Sequence, residues 1–166
     1  MKALFFSFFL LVQMQLQPPN AVLLVAKPDL LDPNFRETVV LAHQAEDGST
    51  VGVILNRPQE PLAFGGPVMR QIPVVLFRAA QPPEAPAFHV LPDVYLSMHP
   101  QNVDNAAQTG RLFAGFAGWA PGQLESELAR DGWYVLPASE EIVFRKDTRG
   151  LWEELVRKAL GRVAMR

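Results

Sequence analysis

The chain has 166 residues, 49% of them hydrophobic, and a formal net charge of −2 at pH 7. That length suits one domain with a core of its own, since about 70% of the extended-chain surface is buried at this size. The absence of cysteine excludes disulfides, Cys-ligated zinc, iron–sulfur clusters and a thiol nucleophile, and the acidic total speaks against a nucleic-acid binder that works by overall positive charge.

The first element in chain order is "MKALFFSFFLLVQMQLQPPNA", with one cation at Lys2, a small-or-apolar run from Ala3 to Val12 and a polar, proline-containing stretch ending in Ala21. This order has the form of a secretory signal. The run is too short for a stable transmembrane anchor, which needs roughly 20 residues. The expectation is a signal-like extension over 1–21, cleavage after Ala21 and one domain over 22–166 in the periplasm or cell envelope. The alternative is an uncleaved extension on a cytoplasmic protein.

Strands are predicted over Ala21–Ala26, Thr38–Gln44 and Val51–Asn56, the last two joined by an Asp47-Gly48 hairpin turn. Ile72–Arg78 and Asp93–Ser97 read as strands separated by a proline-rich turn, and Pro100–Gln108 as a short helix closing at Gly110. "RLFAGFAG" reads as a strand and "PGQLESELARD" as a helix that Gly132 ends, followed by strand Trp133–Leu136 and a short strand or turn at Glu141–Phe144. The last helix spans about Thr148 to Leu160, with Asp147 as cap and Leu151, Trp152, Leu155, Val156 and Leu160 as its apolar stripe. Strands cluster early and helices late, with hairpin links, so the predicted class is α+β around a bent, largely antiparallel sheet with flanking helices.

Three blocks, Leu23–Pro58, Phe64–Val68 ("FGGPV") and Leu112–Ser139 ("LFAGFAGWAPGQLESELARDGWYVLPAS"), resemble the YqgE/AlgH family of bacterial proteins in order and spacing, and together they cover nearly all of Leu23 to Leu160. The resemblance implies an α+β fold with a bulged, strongly curved sheet. It implies no established enzymatic activity, and carries the label of a transcriptional regulator through a link to alginate regulation. This chain departs from many members in the short Gln59–Ala63 spacer and the signal-like extension, and has Ala42 and His43 where some members place a Cys.

Two constellations are candidate sites. Asn56 and Arg57 with Gly65-Gly66 could form a small-anion pocket beside a glycine turn; the structural alternative has Arg57 pairing a carboxylate such as Asp29 or Asp32. Trp119 and Gln123 flank Pro121-Gly122 at a helix start that could hold an anion; the alternative is close packing of strand and helix. His43, His89 and His99 lack metal-ligand spacing, no nucleotide-binding glycine motif occurs, and no serine elbow occurs, so no metal, cofactor or catalytic residue is assigned. From Arg145 to Arg166 seven basic residues face three acidic ones, a face that could meet an acidic partner, a phosphate backbone or an anionic lipid; the alternative is the solvated face of an amphipathic helix, with cations suiting its C-terminal dipole. The reading that follows is a non-enzymatic interaction or regulatory protein, with a small-ligand binder or enzyme as the alternative and DNA binding the least favoured. The oligomeric state is left open.

Overall fold

The computed structural model describes residues 19–165. The strands are β1 (Val22–Ala26), β2 (Val39–Gln44), β3 (Thr50–Ile54), β4 (Ala63–Phe64), β5 (Val68–Arg78), β6 (Phe88–Leu91), β7 (Val94–Ser97), β8 (Arg111–Trp119) and β9 (Trp133–Pro137). The helices are α1 (Pro100–Ala106), α2 (Gln123–Ala129), α3 (Glu140–Val143) and α4 (Leu151–Ala164). The sheet runs β6-β7-β5-β8-β3-β2-β1-β9, every neighbour on that path antiparallel, with β4 set parallel against β8. The apolar N-terminal run lies outside the described residues, which take in only Pro19–Ala21 of the signal-like stretch.

β1 is apolar throughout because both its faces are covered. Leu23 and Val25 join a core with Leu41, Val53, Val74, Leu76, Leu96 and Phe113, so side chains from the two ends of the sheet share one interior. The sheet must therefore curl. Ile142, Leu151 and Leu155 of α3 and α4 close that interior, each such buried side chain contributing about 1.5–3 kcal/mol. Leu24, Ala26, Val40 and Ala42 face the other way, against Trp119, Leu124 and Trp133. Phe35 lies 5.8 Å from each tryptophan ring, and the two indoles are 6.2 Å apart.

The curl has its origin in β8. Its first half pairs with β5 and β4, while Ala117–Trp119 pair with β3. Between the halves stands Gly115 at φ +74°, where a Cβ would meet the Gly66 and Val68 carbonyl oxygens at 2.7 and 2.8 Å. The β5 register shifts opposite this point, between Val68 and Pro73.

Several expectations are corrected. Glu141–Phe144 is not a strand: Ser139 accepts the Ile142 amide at 3.4 Å and starts the one-turn helix α3. β4 and β6 are strands within stretches read as loop and turn. In α4 the apolar stripe passes through Ala159, 3% exposed, rather than Leu160, 50% exposed. Asp147 does not cap α4; Gly150 holds that position, and Asp147 accepts from the amide and guanidinium of Arg149. After α2 the left-handed residue is Asp131 at φ +68°, while Gly132 donates back to the Glu127 carbonyl.

His43 is buried with its ring 5.4 Å from Phe88, while His89 stacks on Tyr95 at 4.7 Å. Neither His43 Nδ1 nor His89 Nε2 has a partner among the described residues. Burial, and then the nearby His89, lowers the His43 pKa from its ordinary 6.5. The unfolded chain therefore takes up a proton on this group more readily than the folded one. Its contribution to stability is complete above pH 6.5 and is lost as the pH falls through the lowered value. Urea midpoints measured from pH 7.5 to 5 will decline on the acid side, and His43→Leu will flatten that decline; an unchanged slope in the variant contradicts the assignment. Trp152 is half-buried and donates its indole N–H to the Ala26 carbonyl at 2.8 Å, tying α4 to the end of β1. Trp152→Phe is expected to cost about 1 kcal/mol for that bond and Trp152→Ala about 3 kcal/mol, read from denaturant midpoints; equal costs would show that the bond and not the ring matters.

Candidate functional site

The residues singled out in the sequence go to three different places. Asn56 leaves β3 and spans two backbone groups: its Oδ1 accepts the Val39 amide and its Nδ2 donates to the Glu37 carbonyl, both at 2.9 Å. Arg57 does not pair Asp29 or Asp32. Its Nη2 donates to the Arg36 carbonyl at 2.5 Å, because the chain entering β2 lies alongside the chain leaving β3. Gly65 and Gly66 pack on β8, where a Cβ on either would meet backbone atoms of Gly115 or Phe116 at 2.2 Å. Trp119 is buried and donates from Nε1 to Glu127 Oε2 at 2.5 Å. Gln123 folds back to accept the Ala120 amide at 3.1 Å. In β8 it is Gly115 that lets two backbone segments pack closely, while a Cβ on Gly118 would meet nothing nearer than 3.7 Å.

Of these residues Asn56 and Arg57 line a cleft, about 320 Å³ in volume, together with Arg36, Glu37, Arg149 and Glu153. Its charges largely cancel, since two of those six are glutamates and Arg149 is held by Asp147 at 2.6 Å. The Arg149 hydrogen bond holds the Asp147 carboxyl down at about 2.

A second cleft, of about 460 Å³, draws on the first residues of the α3–α4 connection and is lined by Arg78, Thr109, Arg111, Phe144, Arg145 and Lys146 with Gly110. Among the described residues no carboxylate lines it. Arg78 lies 3.7 Å over the Phe144 ring and pairs Glu140 at 2.6 Å. Arg145 is held by Glu141 and Glu154, which raise its pKa. The cations of these two are therefore spoken for.

Arg111 is different. It opens β8 on the side that carries Phe113 into the core, and its guanidinium lies 5.0 Å from that ring. Nη1 donates to the Val143 carbonyl at 2.9 Å and Nη2 to the Leu55 carbonyl. Two of the five N–H donors of the fork are used, leaving three. Among the described residues no carboxylate pairs with it. Burial pushes its pKa down to about 10, so it stays charged at neutral pH. Lys146 at the rim is also in no ion pair among the described residues.

Arg78, Arg111, Arg145 and Lys146 were not singled out as a site in the sequence. Arg145 and Lys146 belong to the basic run noted there. Arg111 left one signal of its own: it holds the same alternation as Phe113, and so places a cation on the inward side of an apolar strand.

Residues 23–164 match the model of the AlgH-like family, DUF179. A UPF0301 protein of Thermobifida fusca is 36% identical, the match covering 87% of this chain and 89% of that protein. One from Mycobacterium tuberculosis is 35% identical over 82% of this chain and 80% of its own, and one from Chlorobaculum tepidum 33% over 84% and 86%. Among solved structures, a crystal structure of a Corynebacterium diphtheriae protein superposes with a TM-score of 0.67 at 25% identity, covering 86% of this chain and 87% of that one. The solution structure of AlgH from Pseudomonas aeruginosa has a TM-score of 0.63 at 23% identity with the same coverage, a likeness of fold. The chain belongs to the AlgH-like family of UPF0301 proteins.

Proposed function

We propose that this protein works by binding rather than by catalysis, and that it recognises an anionic group, phosphate or carboxylate, in the Arg111 cleft. One observation carries the reading: Arg111 is a half-buried guanidinium with three free donors and, among the described residues, no carboxylate partner, at a cleft where Lys146 is also in no ion pair. An uncompensated buried charge is costly, and an anion that meets the planar fork offsets that cost while using its remaining donors. The volume of about 460 Å³ leaves room for more than the anion itself, so the group can be part of a small molecule or of a partner's side chain. Guanidinium and ammonium groups hold their protons across the working pH range, which suits recognition better than proton transfer.

A regulatory role is compatible with this reading as the response to such a ligand. A nucleic-acid backbone is favoured less, because two of the four cations at the cleft are already neutralised by glutamates and the net charge is −2. Export is likewise a proposal, supported by the signal form of residues 1–21. Cleavage after Ala21 would remove the Asn20 bond to the Gln44 carbonyl and leave β1 to begin at the new terminus. An intact mass starting at Val22 in the envelope fraction of the native host supports it, and a full-length cytosolic protein contradicts it.

Thermal melts with orthophosphate, pyrophosphate and citrate test the binding reading. At a hundredfold excess over Kd a bound anion stabilises the fold by about 2.7 kcal/mol, a rise of roughly 5–10 °C in Tm. Lys146→Ala should keep the parent's own Tm and weaken the response about tenfold, the value of one charge-assisted hydrogen bond. Arg57→Ala should leave the response intact. A parent protein indifferent to all three anions, or a response lost with Arg57 and kept without Lys146, overturns the assignment.

A further inference from the structure

Among the described residues β9 ends the sheet on its side, paired with β1 and with no strand beyond it. The register shows which of its backbone groups are used. The Lys27 amide donates to the Gly132 carbonyl at 3.1 Å and the Ala26 amide to Thr38 at 3.0 Å, so Lys27, Val25 and Leu23 turn toward β9. Their partners Tyr134 and Leu136 turn toward β1. The amides of Trp133 and Val135, and the carbonyls of Trp133, Val135 and Pro137, therefore face outward. Val135 is 48% exposed.

α4 builds a wall along this rim. Ala159, Arg162 and Val163 form a groove of about 220 Å³ with Trp133–Leu136. It adjoins a second groove of about 180 Å³, where Leu136 and Arg162 are joined by Ile142, Leu155 and Lys158. Among the described residues no acidic side chain lines either groove, and neither Lys158 nor Arg162 is in an ion pair.

We infer that the β9 edge and the α4 rim form a docking surface for an extended, acidic segment of a partner protein, which adds to the sheet beside β9 and sets carboxylates against Arg162 and Lys158. The outward amides and carbonyls supply main-chain pairing, and the side chains that the added strand turns toward α4 enter the grooves, where Arg162 and Lys158 select carboxylates. A second copy of this chain fits the rim less well, because pairing β9 with β9 brings the Lys158 and Arg162 of both copies toward one another. The surface shares no residue with the Arg111 cleft, so it stands or falls separately from the anion reading.

The probes are three fluorescein-labelled peptides of alternating sequence, Val-Glu, Val-Gln and Val-Lys, seven residues each. They are measured by anisotropy on the full chain, with backbone amide NMR. The Val-Glu peptide is expected to bind at least tenfold more tightly than the Val-Lys peptide, to shift the Trp133 and Val135 amides, and to slow their exchange. Arg162→Glu, at an exposed position, should invert the preference. Val135→Pro removes an outward amide and leaves the β1 ladder bonds of Tyr134 and Leu136 in place. It should weaken binding at least fivefold in a protein whose Tm and circular dichroism match the parent. Should Val135→Pro fail that folding check, Arg162→Glu decides alone. No saturable binding of the Val-Glu peptide, equal affinity for all three, perturbation confined to the Arg111 cleft, or a concentration-dependent dimer that protects the β9 amides without peptide each overturn the inference.

Discussion

Two backbone segments meet at Gly65-Gly66 and Gly115 with no space for a single Cβ between them. This contact is what turns one sheet into two facing halves. β8 runs through it, pairing with β5 on one side and β3 on the other, and Gly115 takes the left-handed conformation that lets the strand change partners. A side chain there would push the halves apart and open the interior that Phe113, Leu76 and Leu23 share. The contact also places both ends of β8. Four residues before Gly115, Arg111 reaches the end of the core; four after it, Trp119 packs with Phe35 and Trp133 and is anchored on Glu127.

The partial burial of Arg111 needs a physical account, because hydrophobic packing does not call for it. Two carbonyls at the ends of elements, Leu55 after β3 and Val143 at the end of α3, receive its Nη groups. Carbonyls at such ends lack regular partners, so the guanidinium satisfies groups that would otherwise be exposed or orphaned. They bring partial charges only. Among the described residues the full positive charge has no carboxylate partner, at a cleft where Arg78 and Arg145 are paired and Lys146 is not. The Asn56–Arg57 cleft also has its guanidinium bonded to a backbone carbonyl, but differs in having the glutamates Glu37 and Glu153 among its lining residues.

Much of the fold was legible in the sequence because it is written locally. The continuous apolar run of β1, the Asp-Gly turn between β2 and β3, and the amphipathic spacing of α4 each depend on a few adjacent residues. β6 was not legible, being four residues set between Pro86 and Pro92, and its strand character comes from pairing with β7. α3 misled because Ile142 and Val143 suit a strand, while the capping serine before them decides otherwise. The sites were less legible still. Asn56 and Arg57 drew attention as polar residues ending a strand, and their bonds turn out to be internal. The cleft cations come from the ends of β5 and β8 and from the loop after α3, residues far apart in the chain that only the curled sheet brings together.

An account built on Arg111 makes the guanidinium itself the reporter. The most direct measurement is a nitrogen-15 NMR titration of the arginine Nε–Hε signals with orthophosphate, assigned by substitution. The account predicts a saturable shift at Arg111 that is lost or weakened in Lys146→Ala, with the Arg57 and Arg149 signals left near their starting positions. Equal, unsaturated drift of all the arginine signals, or saturation at Arg57 and Arg149 while Arg111 stays still, would contradict it.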